Sequence, residues 1–122
     1  MQSLQGISYL SEMDWPRKLT VKLKSKVGAR WEDTEGVYKL SSNPVNGKAH
    51  WLQESGSNAL WFDKVFQNWK IGLVSGLGGS TCKVLTHRNT ARHQPHKAVP
   101  WIYYVKDGRW IGAEDIIVEE ES

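Results

Sequence analysis

Residues 59–74 read Ala-Leu-Trp-Phe-Asp-Lys-Val-Phe-Gln-Asn-Trp-Lys-Ile-Gly-Leu-Val, and this stretch decides the fold. Apolar and aromatic residues dominate positions 59–63 and 69–74, and five residues separate the two runs. Short runs rich in aromatic and branched residues are typical of strands, and a short connection between them indicates a hairpin. The stretch therefore predicts two antiparallel strands over 59–63 and 69–74.

Apolar residues alternate with polar ones, with the two-residue period of a strand, in the segments on both sides of this hairpin. Leu19, Val21 and Leu23 alternate with polar residues, and further candidate strands cover residues 19–25, 36–42, 49–54, 81–86, 101–105, 109–112 and 115–119. Asn46-Gly47 fits a type I′ turn, because both central residues of that turn need a positive φ. We expect an all-β fold, either an antiparallel β-sandwich or a partly open barrel of roughly seven to nine short strands.

A chain of 122 residues corresponds to one domain. We expect residues 15–119 to form the single β-domain. Residues 1–14 are interpreted as a flexible N-terminal segment, and residues 120–122 as the end of an acidic tail.

The aromatic hairpin has a second, weaker copy about 40 residues further on. Residues 101–104 and 109–112 read Trp-Ile-Tyr-Tyr and Arg-Trp-Ile-Gly, again an aromatic strand, a turn and a returning strand with Trp and Gly. Two copies favour a duplicated hairpin over a propeller, because the chain is too short for several blades.

A set of aromatic and turn residues scattered over positions 36–112 resembles a pattern found in a class of small β-domains. They are Gly36-x-Tyr38, Val45-Asn46-Gly47, Leu60-Trp61-Phe62, Trp69-Lys70-Ile71-Gly72, Trp101 and Gly108-x-Trp110. In these residues the chain resembles small Trp-rich β-modules appended to multidomain proteins of protists and invertebrates. The resemblance implies an accessory interaction module and transfers no functional residue.

Both faces of the hairpin strands carry apolar or aromatic residues. Trp61 is in phase with Ala59, whereas Leu60 and Phe62 point to the opposite face. One face can fill the core, and the other either packs under a loop or forms an exposed platform that stacks on a ligand. We predict that the ligand-binding surface consists of Trp61, Phe62, Trp69, Trp101, Tyr103, Tyr104 and Trp110.

Residues 17–30 contain six cations and no acid. A basic stripe of this kind suits phosphates or acidic partners. Lysines that alternate with apolar residues are also typical of the solvated face of an edge strand, here facing the acidic tail. Together with two loop arginines, the candidate basic patch comprises Arg17, Lys18, Lys22, Lys24, Lys26, Arg30, Arg88 and Arg92.

Metal and catalytic constellations are weak. The possible zinc ligands are Cys82, His87, His93 and His96, but their spacing matches no familiar site and neighbouring cations would repel a divalent metal. The glycine-rich segment 72–81 lacks the lysine of a phosphate-binding loop and fits a turn better. Cys82 is in phase with Val84, which favours burial over nucleophilic reactivity. We expect no cofactor and no catalytic residue.

Cys82 is the single cysteine, which excludes an intrachain disulfide and favours a reducing compartment. Residues 1–15 lack the basic and apolar regions of a secretory signal. No apolar run approaches the roughly 20 residues of a membrane helix, so no membrane span is expected. The leading hypothesis is a non-catalytic module that recognises a protein or peptide. The alternatives are carbohydrate binding on the same platform and nucleic-acid binding through the basic stripe.

Overall fold

Nine strands follow one another along the chain in the computed structural model, which describes residues 14–23, 33–87, 90, 92–104, 110–111 and 116–121, with the backbone alone at 103, 104, 110 and 111. The strands are β1 Lys18–Leu23, β2 Gly36–Leu40, β3 Trp51–Gln53, β4 Asn58–Asp63, β5 Asn68–Leu73, β6 Val84–Thr86, β7 Trp101–Tyr104, β8 Trp110–Ile111 and β9 Ile116–Glu120. A single turn of 3₁₀ helix, Val74–Gly76, follows β5. The prediction of an all-β fold is confirmed.

One antiparallel sheet contains all nine strands, in the order β8-β7-β6-β5-β4-β3-β2-β1-β9. The first eight strands form a meander in which each strand pairs with its neighbour in sequence. β9 instead returns to pair with β1, with Val21 opposite Val118. The sheet curls until β7 and β9 lie close to each other, so the architecture is a nearly closed barrel rather than two separate layers.

Both aromatic hairpins form as predicted. Phe62 pairs with Trp69 across β4 and β5, and Tyr104 pairs with Trp110 across β7 and β8. Asn46 and Gly47 have φ values of 54° and 80°, so the predicted positive-φ turn is also confirmed. It connects Val45 to Lys48, which form an isolated bridge.

Several strand boundaries differ from the expected ones by one to three residues, and the largest difference is at β6. β6 begins at Val84, three residues later than expected, because residues 81–82 cross over Gly72 instead of joining the sheet: a Cβ on Gly72 would lie 3.1 Å from the Cys82 Cα. β9 runs to Glu120, one residue past the expected domain end. Residues 1–13 and 122 lie outside the described residues.

The inner face of the barrel holds one hydrophobic core in which tryptophans dominate. Trp69 packs edge-to-face against three other rings, those of Trp15, Trp51 and Phe62, at centroid separations of 6.0, 5.9 and 5.3 Å. Edge-to-face geometry brings the positive ring edge onto a negative ring face, which adds to the energy of apolar burial. Leu60 and Ile71 extend this core along the same hairpin.

Indole N–H groups connect the core to the segments outside the sheet. The Trp51 Nε1 donates to the Pro16 carbonyl at 2.8 Å, and the Trp69 Nε1 donates to the His93 carbonyl at 2.8 Å. The Trp101 Nε1 donates to the Pro95 carbonyl at 2.9 Å. Each bond satisfies a buried donor and at the same time fixes a loop over the barrel.

Two histidines at the periphery of the core are held in the neutral form. His50 is buried, and its burial lowers the pKa despite a hydrogen bond with the Asn43 backbone. Burial also lowers the pKa of His96, and Lys97 acts in the same direction, whereas Glu120 on β9 opposes it. In both imidazoles the Nδ1 atom has no hydrogen-bond partner among the residues that the structure describes.

We expect Trp69→Phe to lower the free energy of unfolding by about 2–4 kcal/mol, because the variant loses a buried hydrogen bond and part of a packed ring. Urea denaturation measures this change. The matched control is Val65→Ala on the same hairpin, where an exposed side chain should matter by less than about 0.5 kcal/mol. A loss below about 1 kcal/mol for Trp69→Phe would contradict the assigned role.

Acid should destabilise the barrel through His50 and His96. Their folded-state pKa values lie below the ordinary 6.5, so the unfolded chain binds protons first as the pH falls. Stability is therefore complete above about pH 6.5 and declines as the pH drops from there through the folded-state pKa. Melting temperatures between about pH 7.5 and pH 5 should show this slope, and His50→Gln should flatten it. His87→Gln, at an exposed histidine, is the control; an unchanged slope in His50→Gln would refute the role of His50.

Candidate functional site

None of the predicted aromatic binding residues whose side chains the structure describes is exposed. Trp61, Phe62, Trp69 and Trp101 are all buried. Phe62, Trp69 and Trp101 belong to the barrel core. The side chains of the remaining candidates, Tyr103, Tyr104 and Trp110, lie outside the described residues.

Trp61 is buried for a different reason from the other three. It points to the outer face of the barrel, in the same row as Lys70, and the loop 74–82 covers it. Its Nε1 donates to the Gly79 carbonyl at 3.0 Å, and its ring lies 3.1 Å from the position that a Cβ on Gly72 would take. Of the two outcomes expected for this face, the structure therefore shows packing under a loop.

The loop 74–82 is held in place largely by polar contacts. The Asn46 Nδ2 donates to the carbonyls of Phe62 at 2.7 Å and Gly78 at 3.1 Å, which ties the Asn46-Gly47 turn to both β4 and the loop. Gly78 has a φ of 87°, a conformation that favours glycine. The glycines of this segment thus serve the path of the loop.

A buried ion pair lies beneath the same loop, beside Trp61. The Lys70 Nζ donates to the Asp63 Oδ2 at 2.7 Å and to the Asn68 Oδ1 at 3.2 Å, and both charged side chains are almost completely buried. The Ser80 Oγ donates to the same Asp63 oxygen at 2.9 Å. The Lys70 Nζ also lies 4.6 Å from the centroid of the Phe66 ring, a cation–π distance.

The environment of Asp63 keeps it ionised. Burial alone would raise its pKa, but hydrogen bonds from Lys70, the Val65 backbone and Ser80, with the charge of Lys70, lower the pKa below its usual value. A carboxylate that accepts this many hydrogen bonds is a poor general base, because the fixed donors stabilise its ionised form and it binds a proton weakly. We interpret the cluster as a structural clasp that joins the hairpin to the loop.

The weak metal candidates do not come together. Cys82 is half-buried, His96 is half-buried, and His87 and His93 are exposed. No group of three or more possible ligands is found among the residues that the structure describes. The pKa of the Cys82 thiol is raised to about 11, mainly by burial, while Lys70 lowers it and Asp63 raises it to smaller extents. The reactive thiolate is therefore scarce at neutral pH.

The basic stripe faces acids, as the solvated-strand interpretation anticipates. The Lys22 Nζ lies 3.7 Å from Glu119 on β9, and the Lys18 Nζ lies 3.5 Å from Glu54. Arg17 and Arg92 are exposed. Lys24, Lys26, Arg30 and Arg88 lie outside the described residues.

Sequence reasoning missed three exposed apolar side chains at one end of β3 and β5, those of Leu52, Leu73 and Val74, which together are called the apolar patch. These side chains are 38%, 49% and 43% exposed. Leu52 is opposite Ala59 on β4, and Ala59 is opposite Gly72 on β5, so the register places Leu52 two strands from Gly72, the residue before Leu73. Leu73 is in phase with the inward-facing Trp69 and Ile71 and is exposed at the end of β5. The signal was present in the alternation of 49–54: Trp51 faces inward, so Leu52 occupies an outward position where a polar residue is usual.

Removing Lys70 should be far more damaging than removing an exposed lysine of the same hairpin. Lys70→Met leaves the Asp63 carboxylate buried without its cation, and we expect a loss of about 3–5 kcal/mol in unfolding free energy. Lys64→Met, at an exposed position in the turn, should be nearly neutral. Chemical denaturation compares the two, and equal losses would show that the clasp is not a stabilising element.

No helix in the part of the chain that the structure describes is long and apolar enough to cross a membrane. Searches against protein-family models, curated proteins and solved structures found no match for this chain. Its function must therefore be argued from its own geometry and charge.

Proposed function

We propose that this chain is a non-catalytic interaction module that recognises a protein or peptide through the exposed apolar patch of Leu52, Leu73 and Val74. The observation that carries the proposal is the exposure of these three side chains at one end of β3 and β5, whereas the other exposed valines, Val65 and Val99, lie singly in connecting segments. It replaces the aromatic platform as the recognition surface.

The absence of catalysis is inferred from how the reactive groups are used. Lys70 and Ser80 both donate hydrogen bonds to Asp63 beneath the loop 74–82. The Cys82 thiol has a raised pKa. Tyr38 is buried, donates to the Thr34 carbonyl at 2.7 Å, and has a pKa raised by burial and by Asp33. These groups stabilise the fold, and each would have to leave a satisfied contact or a protonated state in order to react.

The location of the patch favours a macromolecular partner. Leu73 and Val74 are consecutive at the end of β5, and Leu52 projects from the outer face of β3. Leu52 lies on the convex outer wall, and Leu73 and Val74 lie where β5 ends, whereas small molecules are usually bound in concave pockets. Exposed apolar side chains gathered at one end of a sheet are typical of protein-interaction surfaces.

The two other binding hypotheses receive less support from the described residues. Carbohydrate stacking needs an exposed ring, and Trp61, Trp69 and Trp101 are buried. Nucleic-acid binding needs cations that are free to contact phosphates, and Lys18 and Lys22 contact acids of the same barrel.

The patch can be tested by reversing its polarity. The double variant Leu73→Glu/Val74→Glu should abolish partner binding, because it places two charges where an apolar contact must form. Immobilised wild-type and variant chains would be compared for the proteins they retain, and each retained protein would then be titrated as a purified component.

The matched control is Val65→Glu, an exposed valine at 72% exposure on the turn between β4 and β5. It should keep the binding of wild type, and all chains should melt at similar temperatures. Partners retained equally by the double variant, or a silent retention experiment alongside a positive glycan array, would contradict the proposal.

A further inference from the structure

Cross-strand register places two lysines beside the apolar patch. Lys18 is directly opposite Lys39, and Lys39 is directly opposite Leu52. All three alternate with buried neighbours and share the outer face of β1, β2 and β3. Lys18, Lys39 and Leu52 therefore form a row across the outer surface of three neighbouring strands, with cross-strand Cβ separations of about 5 Å.

The charge of this row is only partly neutralised. Lys18 reaches Glu54 at 3.5 Å, and on its other side the Glu121 carboxylate accepts a hydrogen bond from Thr20. Lys39 is exposed, and no carboxylate among the described residues lies within ion-pair distance of it. Like charges directly opposite one another repel, so an anion from a partner would be favoured between Lys18 and Lys39.

We infer that the partner is an acidic peptide segment in which an Asp or Glu stands two residues from a large apolar residue. The inference rests on the proposed function, because the apolar residue would occupy the patch at Leu52. In an extended peptide, residues two apart point to the same side and lie about 7 Å apart. That spacing matches the step from the lysine pair to Leu52, so one carboxylate and one apolar side chain can be bound together.

Selection from a random peptide display library on the immobilised full chain tests this partner class. The enriched peptides should carry an acidic residue two positions from Leu, Ile, Phe or Trp. A synthetic enriched peptide would then be titrated by fluorescence anisotropy against the chain and its variants. Lys39→Glu should weaken binding by on the order of fivefold or more, because one attractive contact is replaced by a repulsive one.

Two controls separate charge from fold. Lys64→Glu reverses an exposed lysine on the turn between β4 and β5 and should leave the peptide affinity unchanged. Replacing the acidic residue of the peptide by its amide should lower its affinity for wild type and should matter much less for Lys39→Glu. The difference between wild type and Lys39→Glu should shrink at high salt.

The outcomes distinguish this inference from the proposal on which it depends. Enriched peptides that lose binding in Leu73→Glu/Val74→Glu but show no acidic preference would overturn the inference and leave the patch as the recognition surface. Peptides that bind without the patch, or no enriched peptides at all, would overturn both. Self-association of wild type that Leu73→Glu/Val74→Glu abolishes, seen by light scattering, would make a second copy the occupant and would also overturn the inference.

Discussion

The structure depends on the hydrogen bond from a buried indole N–H to a main-chain carbonyl outside the sheet. Among the tryptophans whose side chains the structure describes, four form it, with Pro16, Gly79, His93 and Pro95 as the acceptors. A tryptophan contributes a large apolar surface but leaves one donor that must be satisfied. In this barrel the acceptors lie in loops and in the segment that precedes β1. The same tryptophan side chains therefore pack the barrel and hold these segments in place. These bonds hold the segments around Pro16, Gly79, His93 and Pro95 against the barrel wall.

The same bond shows how a hairpin with two apolar faces remains compatible with water. The inner residues of β4 and β5 fill the core, and the outer residue Trp61 would be exposed without the loop 74–82. Covering Trp61 also takes the neighbouring polar side chains out of water. The Asp63–Lys70 pair is acceptable there because Ser80, Asn68 and backbone N–H groups complete its hydrogen bonding. The loop therefore buries an aromatic ring and an ion pair together.

Much of the fold could be predicted from the sequence, because strand periodicity and turn chemistry are local properties. The alternation of Leu19, Val21 and Leu23 and the Asn46-Gly47 turn each fix a piece of structure within a few residues. The fate of Trp61 could not be predicted in this way, because it depends on a loop that returns after Gly72. The burial of Lys70 could not be predicted either. Lysine is normally exposed, and the local sequence does not indicate that Asp63 and Ser80 will enclose this side chain. The candidate surface at Leu52 required the register between strands, which only the folded sheet supplies.

The pairing of β9 with β1 has a consequence for how the barrel assembles. The strands from β1 to β8 pair with their neighbours in sequence, so those contacts close short loops, whereas the β1–β9 ladder joins residues about one hundred positions apart. Loop-closure entropy makes such a contact slow to form, and topology of this kind delays the final step of folding. Until β9 docks, β1 is a bare edge strand with unpaired main-chain groups, able to pair with another chain. The acidic residues of β9 and the lysines of β1 then matter before the barrel is complete. Opposite charges favour the pairing of β1 with β9 of the same chain, whereas two β1 strands from different chains would bring like charges together.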